Sequence, residues 1–320
     1  MEQHSFEQAR ASLQPPTSIT AIINPIAGGG KGVRLWPVIR DLLQREGLEF
    51  SMVTSEAPLH AAELAREAVM RGSQLVVGIG GDGTVHEVAN GLLLARQEGR
   101  GEAALGIIPV GTANDFASAL SIPLSAPEAT RFLASGHRRA IDAGIVNSRY
   151  FIMVAGVGFD AEVVREVNRW RWRASGTIPY LLGVLKTLVG FSPTEVTFTV
   201  DGQVHHQQVF LVAVGNSYRY GGGMKICPGA ALDDGLLDVV VAGDIGRLET
   251  LALLPRVYRG THISTRKVQV FRAREVAVTG AARSLAVHAD GELVGEVPVT
   301  FRILPKALQV VAPSTRLPPG

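Results

Sequence analysis

The sequence predicts an α/β domain with a parallel sheet, followed by an antiparallel β-sandwich domain. Up to about residue 140, apolar strand-like runs alternate with segments of helical period. Beyond that point, short runs alternating apolar and polar take over. The third observation is the stretch Leu75–Asn90, LVVGIGGDGTVHEVAN, which joins a buried strand, a glycine turn and the start of a helix. Bare backbone N–H groups and a helix N-terminus meet in such a turn, so it suits a phosphate.

With 320 residues the chain is long enough for two cores. Its formal net charge of +2 predicts no nucleic-acid partner. Cys227 is the one cysteine, which excludes a disulfide framework and a cysteine metal cluster and fits a reducing, cytoplasmic setting. Residues 1–16 read as a disordered leader ending at Pro15-Pro16, and its mixed polar start is not a signal peptide. No apolar run reaches the roughly 20 residues of a membrane span. The nearest, Thr177–Phe191, is short and contains Lys186.

In chain order, Ser18–Ile23 reads as a strand leaving through Asn24-Pro25-Ile26-Ala27-Gly28-Gly29-Gly30-Lys31-Gly32 into a helix over about 33–46. This is no Walker A loop, since Gly32 stands where Ser or Thr is required. It reads equally as a phosphate-approaching turn and as a surface loop, and Lys31 equally as a phosphate partner and a solvated lysine. A strand near Phe50 ends at Thr54, and a helix over about 59–71 leads to the central strand. Thr84 is the expected N-cap of the next helix, over about 84–96. Ala104–Pro109 is another buried strand, leaving through Val110-Gly111-Thr112-Ala113-Asn114-Asp115, with Thr112 expected to cap the helix after it. In an open parallel sheet these turns gather beyond the carboxyl ends of the strands.

Asp82 is informative because Gly78, Gly80 and Gly83 also fit a dinucleotide fingerprint. A carboxylate about 4 Å from a pyrophosphate is repelled by roughly 4 kcal/mol at an effective dielectric of 20. A cation between them, or a carboxylate acting on another group, removes the conflict. Both conditions suit phosphoryl transfer with Mg²⁺ better than hydride transfer. A Rossmann dehydrogenase further needs an acid about 20 residues on in a strand context, and Glu102 lies in a Gly-rich loop instead.

In the second half the expected strands are 139–146, 150–154, 195–200, 209–215, 236–241, 267–271, 275–278, 285–289 and 297–303, with a last one at 308–311. Helices are expected at about 159–171 and 177–190, and Asp201-Gly202 is a hairpin signal. Pro228 to Asp238, with Asp233, Asp234 and Asp238, reads as an oxygen-rich turn able to hold a hard cation, or as a plain acidic turn. Asp290-Gly291-Glu292 alone reads as a hairpin with solvated acids. Arg169-Trp170-Arg171-Trp172-Arg173 and the apolar helix after it read as a headgroup-contacting segment with an acyl shelter, or as a core helix with a basic start.

The ordered set Asn24-Pro25…Gly28-Gly29, Gly80-Gly81-Asp82-Gly83-Thr84…Glu87-Val88-Ala89-Asn90-Gly91, Pro109-Val110-Gly111-Thr112-Ala113-Asn114-Asp115-Phe116-Ala117, Gly156…Gly158-Phe159-Asp160-Ala161, Gly215-Asn216, Asp233–Asp238 and Asp290-Gly291-Glu292 resembles the diacylglycerol kinase catalytic family. It is most similar to the bacterial soluble lipid kinases. Sphingosine and ceramide kinases are cousins, and NAD kinase is a remote relative sharing the G-G-D-G turn. The resemblance spans roughly residues 18–312. It implies a Rossmann-like, NAD kinase-like ATP domain over 17–140, to which 304–313 returns, and a lipid-substrate β-sandwich over 141–303.

The resemblance further implies an ATP- and Mg²⁺-dependent lipid kinase acting on a primary hydroxyl, diacylglycerol-like, at a membrane surface, cytoplasmic and peripherally bound, with room for a homodimer. ATP would meet Asn24, Pro25, Ala27, Gly28, Thr54, Gly80, Gly81, Asp82, Gly83, Thr84, Val85, His86 and Thr112. Mg²⁺ would take the Asp234 carboxylate and the carbonyls of Ala231 and Leu236. Glu292 or Asp290 would accept the proton, with Asp82 essential as second acid or in the Mg²⁺ network. Ser118 and Ser121 depart from Arg and Gly in the family pattern, and His86 stands where bacterial members carry Asn. Sphingoid-base or phosphatidylglycerol kinase, a nucleotide kinase and a non-catalytic lipid-binding protein are the alternatives.

Overall fold

The computed structural model describes residues 18–169 and 177–313. The leader 1–16 and the Trp170–Arg173 part of the expected headgroup segment lie outside the described residues. The chain divides into two compact units, Met1–Ala140 with Leu308–Gly320, and Ile141–Ala307.

Unit 1 begins with β1 (Ile19–Ile23), α1 (Lys31–Arg45), β2 (Phe50–Thr54), α2 (His60–Met70), β3 (Leu75–Gly80), α3 (Asp82–Gln97) and β4 (Ala104–Pro109). Two helices with no strand between them follow, α4 (Asp115–Ala119) and α5 (Ala126–Ser135). The strands are parallel in the order β2-β1-β3-β4. The returning segment adds beside β4, with Val310 opposite Leu105, also parallel.

The burial of β1, β3 and β4 on both faces explains their unbroken apolar runs. One face packs Ile39 and Leu43 of α1 and Leu133 of α5 against Ala21, Val77 and Ile79. On the other face Gly78 lies against Val85 and Val88 of α3. There Gly91 lets α3 approach α2 so closely that a Cβ would lie 2.2 Å from the Ala62 carbonyl oxygen.

Two expectations about caps are corrected. α3 starts at Asp82 with Gly81 as N-cap, so Thr84 is already helical. α4 starts behind Asn114, in the left-handed region at φ +53°, so Thr112 lies outside the helix. In both cases the preceding glycine turn ends later or earlier than side-chain capping preferences suggest, because backbone contacts between turns set its path.

Unit 2 contains β5 (His137–Val146, from Ile141 on), β6 (Arg149–Phe151), β7 (Val154–Gly158), α6 (Phe159–Arg169), α7 (Thr177–Gly190), β8 (Thr194–Val200), β9 (Gln203–Val209), β10 (Leu211–Gly215) and β11 (Leu237–Ala242). α8 (Arg247–Arg259), β12 (Val268–Ala273), β13 (Glu275–Ala281), β14 (Ala286–Ala289), β15 (Glu292–Glu296) and β16 (Val299–Ala312) complete it, the last strand leaving the unit at Leu308. One antiparallel sheet runs β12-β11-β10-β7-β14-β15. The other holds β9, β8, β13 and β16, with β5 beside β16 and β6 beside β5. Phe151, Phe198, Phe301, Val212, Val239 and Val287, from both sheets, share one core.

Several expected boundaries change here. The strand expected at 150–154 breaks because the N–H groups of Ile152, Met153 and Val154 turn to the Asp290 carboxylate. The strand expected at 209–215 is two strands in different sheets, with the crossing at Phe210, whose N–H bonds to Ala242 O. β9 carries His205, His206, Gln207 and Gln208 and gives no apolar alternation. The strands expected at 297–303 and 308–311 are one, with Lys306 at φ +53° between them. α8 was not expected, since Pro255 and six exposed or half-exposed leucines and arginines blur its period. Asp201 and Gly202 form the hairpin turn, both with positive φ.

Phe198 is fully buried between the sheets. Phe198→Ala should lower the unfolding free energy of this unit by about 3–5 kcal/mol, read from urea titration by circular dichroism.

Candidate active site

In unit 1 three turns at the carboxyl ends of β1, β3 and β4 close on one another. Gly28, Gly29 and Gly30 are successive left-handed residues. A Cβ on Gly28 would lie 2.0 Å from the Val110 carbonyl oxygen, so only glycine fits. Likewise a Cβ on Gly111 would lie 2.4 Å from the Gly81 Cα.

Hydrogen bonds tie the same turns. Asn24 Nδ2 donates to Thr84 Oγ1 at 3.0 Å, and Asn24 Oδ1 accepts the Ile26 N–H at 3.1 Å. The Phe116 N–H, in the first turn of α4, donates to Asp82 Oδ1 at 3.0 Å. The Val110 N–H donates to Gly80 O at 2.9 Å. Asn114 Nδ2 donates to Gly111 O at 3.0 Å, while its Oδ1 is buried with no hydrogen-bond partner. The product is a backbone cradle at the head of a parallel sheet, with one acid, Asp82, on its rim.

Asn24, Pro25, Ala27, Gly28, Gly80, Gly81, Asp82 and Gly83 belong to this cradle. Thr54 lies beside it, at the end of the strand next to β1. Thr112 is exposed on the third turn. The side chains of Thr84, Val85 and His86 are buried, and the Val85 N–H is already bonded to Gly81 O. The helix start therefore offers backbone at this point, and the His86 ring packs inward against Asn90. Glu87, part of the same motif, accepts the Ala61 N–H at 3.1 Å and so caps α2.

In unit 2 Asp290 sits at φ +46° in the turn between β14 and β15. Its Oδ2 accepts the Ile152 N–H at 2.7 Å, and its Oδ1 accepts those of Met153 and Val154 at 2.9 Å each. Both oxygens are committed to the broken strand, which makes Asp290 a clasp. Glu292, half-buried, pairs with Arg149 at 3.3 Å. Beneath the turn, His288 Nε2 is 3.0 Å from Asp160 Oδ2, and both residues are buried. The Tyr220 ring stacks on His288 with centroids 6.1 Å apart.

The acidic turn is organised by a residue sequence reading missed. Asp142, fully buried, accepts the Gly235 N–H at 2.6 Å and the Lys306 N–H at 2.8 Å. Its own N–H bonds Leu232 O at 2.6 Å. Asn216 Nδ2 donates to Asp142 O and to Ile152 O, linking this turn to the Asp290 clasp. An aspartate inside the apolar run Ala140–Val146 was the available signal.

Asp234 Oδ1 accepts the Leu236 N–H at 3.1 Å, and its Oδ2 pairs with Arg272. Asp238 Oδ2 is buried with no hydrogen bond, Arg272 Nε standing 3.5 Å away. Burial pushes the Asp238 carboxyl up to about 6, against the pull of Arg272 and with the charge of Asp234 adding to the rise. Among the described residues no three His, Cys, Asp or Glu side chains gather as a metal set. The Asp234 carboxylate, expected to hold Mg²⁺ with the Ala231 and Leu236 carbonyls, carries Arg272 on its Oδ2, and the buried Asp238 Oδ2 brings a second carboxylate oxygen to the same arginine. Cys227 is buried, and burial followed by the charges of Asp238 and Asp160 raises its thiol, so it is a core residue without thiolate chemistry.

Behind these groups unit 2 holds an apolar cavity of about 90 Å³. Phe159, Val163, Phe210, Leu253 and Val257 line it, with Asp160 at its wall. Asp160 thus connects the cavity to His288 and the Asp290 turn.

Known proteins agree with both halves. Residues 18–146 match the model described as the diacylglycerol kinase catalytic domain, and residues 153–312 match the YegS C-terminal NAD kinase beta sandwich-like domain. A diacylglycerol kinase of Mycobacterium tuberculosis (strain ATCC 25618 / H37Rv) is 32% identical over 302 residues, covering 92% of this chain and 95% of that protein. A diacylglycerol kinase of Bacillus subtilis (strain 168) is also 32% identical, over 92% of this chain and 96% of its own. A solved diacylglycerol kinase from Bacillus anthracis str. Sterne superposes with a TM-score of 0.72 at 22% identity, over 94% of this chain and 98% of its own. Another solved chain from that organism gives 0.79 at 24%. At these identities the solved structures show a shared fold.

Asp290→Ala should unfold this unit about 2–4 kcal/mol more easily, because it strands the amides that the carboxylate now holds. Urea titration checks this, and unchanged stability would mean that the three bonds contribute nothing. With matches over both domains and relatives alike over nearly their whole length, the chain belongs to the diacylglycerol kinase family of lipid kinases.

Proposed function

We propose that the chain transfers the γ-phosphoryl group of ATP, with Mg²⁺, to the primary hydroxyl of a diacylglycerol-like lipid. The observation that carries this reading is the glycine cradle of unit 1, with Asp82 on its rim. Its left-handed turn at Gly28–Gly30 and the start of α3 suit the triphosphate, because a ligand approaches the backbone closely only where no Cβ intervenes. The names of the relatives and the apolar cavity support a lipid acceptor over a nucleotide.

An alcohol attacks phosphorus well only as its proton leaves, so a carboxylate must reach it within about 2.6–3.2 Å. Glu292 is the better base of the two acids in its turn. Asp290 spends both oxygens on backbone amides, whereas Glu292 stands on the outer strand of the turn and pairs with the Arg149 guanidinium at 3.3 Å. Asp290 then orients the turn, and Arg149 steers the Glu292 carboxylate. Asp82, fixed through Oδ1 by the Phe116 amide, acts at the phosphate end. Mg²⁺, held by Asp234 and the carbonyls of Ala231 and Leu236, would supply charge neutralisation. Positioning and electrostatic stabilisation supply most of the acceleration, with a base contributing typically about 10²–10⁴-fold.

The test is transfer of label from γ-labelled ATP to fractionated lipids, with chromatography of the products. Asp82→Asn and Glu292→Gln should each reduce kcat at least about 100-fold with unchanged circular dichroism. Full turnover in both variants would overturn the assignment. Labelling of NAD in place of lipid would favour a nucleotide kinase.

A further inference from the structure

α8 has two apolar faces, and only one of them is used inside unit 2. Thr250, Leu253, Leu254 and Val257, spaced i, i+3, i+4 and i+7, line the cavity. On the opposite face Leu248, Leu251, Pro255 and Tyr258 form a second stripe, spaced i, i+3, i+7 and i+10, and all four are exposed. Leu248 is 84% exposed, which for a leucine on a regular helix leaves nearly its whole side chain in water. A helix packed on one side ordinarily carries polar residues on the other.

Charge borders this outer stripe. Arg247, Arg256 and Arg259 are exposed at its edges, and Arg266 and Lys267 follow in the next segment. From Asp244 to Lys267 these five cations face Asp244 and Glu249, and Glu249 is already paired with Lys267. α7 repeats the arrangement on the same cavity. Val184 lines the cavity while Leu181, Leu182, Leu185 and Val189 are exposed, Val189 to 70%. Exposed leucines on a helix flanked by arginines match the interface of an anionic bilayer, where apolar side chains enter the acyl boundary and guanidinium groups meet phosphate.

We propose that unit 2 docks on an anionic bilayer through the outer face of α8. Leu248 and Leu251 enter the acyl boundary, and Arg247, Arg256 and Arg259 lie at the headgroups. One helix then contacts the bilayer on its outer side and the apolar cavity on its inner side. A lipid acceptor has a short path between them, which is where this inference rests on the lipid-kinase reading. Charge complementarity selects the bilayer over a second copy of this chain, because two α8 faces meeting would bring their arginines together.

The experiment is flotation of the full chain with phosphatidylcholine vesicles, with and without about a quarter phosphatidylglycerol. The wild type should float with the anionic vesicles, and about 0.5 M NaCl should weaken this. Leu248→Ser with Leu251→Ser should lower the affinity at least about tenfold, and Arg256→Gln with Arg259→Gln should remove the preference for anionic lipid. With a short-chain diacylglycerol below its micelle concentration, the leucine variant should keep wild-type kcat/KM, while turnover on vesicle-borne acceptor falls in proportion to binding.

Unchanged flotation of the leucine variant would overturn the proposal. So would an equal loss on dispersed and vesicle-borne acceptor, which would make α8 part of the reaction site. Sedimentation equilibrium showing a wild-type dimer that the leucine variant loses, with flotation unchanged, would assign the face to self-association. If the wild type phosphorylates no lipid, the proposed function fails, and the flotation comparison still decides the docking surface.

Discussion

Close approach of bare backbone holds the candidate phosphate site together. The Gly28 turn rests on the Val110 carbonyl, and Gly81 rests on Gly111, at separations no Cβ permits. Three loops that would otherwise be independent are thereby brought into one cradle. Asn24 and Asp82 then fasten the turns with side-chain hydrogen bonds. Most residues of the glycine motifs therefore work by what they lack. Glu87 caps a neighbouring helix, and the buried His86 ring serves packing.

The second unit solves a different problem. A β-sandwich edge must present an acid while its own backbone stays bonded. Asp290 does this by accepting three amides from a strand that breaks at Ile152 and Met153. Asn216 and Asp142 extend the same network to the acidic turn and to Lys306. Buried polar groups of this kind are costly unless satisfied, so the network imposes one geometry on the two carboxylate-bearing turns. The exceptions in this network are Asp238 Oδ2 and Asn216 Oδ1, both buried with no hydrogen-bond partner.

The apolar cavity and the two helices beside it join packing to function. α8 contributes one face to the cavity wall and leaves a second in solvent. Such an arrangement costs solubility and is intelligible when the outer face has a partner. Pro255 and the arginines that disguise this helix in the sequence are the residues that fit it for an interface.

Much of this was legible in the chain itself. The unbroken apolar runs of β1, β3 and β4, each followed by glycine and a helical period, determine a parallel sheet with turns at its carboxyl edge. The ordered motifs from Asn24 to Glu292 determine the family. Tertiary structure alone decided which motif residues present side chains and which present backbone, since Thr84 and His86 differ from Asp82 only in the direction the helix turns them. It also decided that Asp290 is a clasp, that Asp142 anchors a turn some ninety residues away, and that α8 has an unused face. The reason is physical: periodicity and turn chemistry act over a few residues, whereas a hydrogen bond between distant strands, or a leucine left uncovered, depends on what the rest of the chain brings alongside.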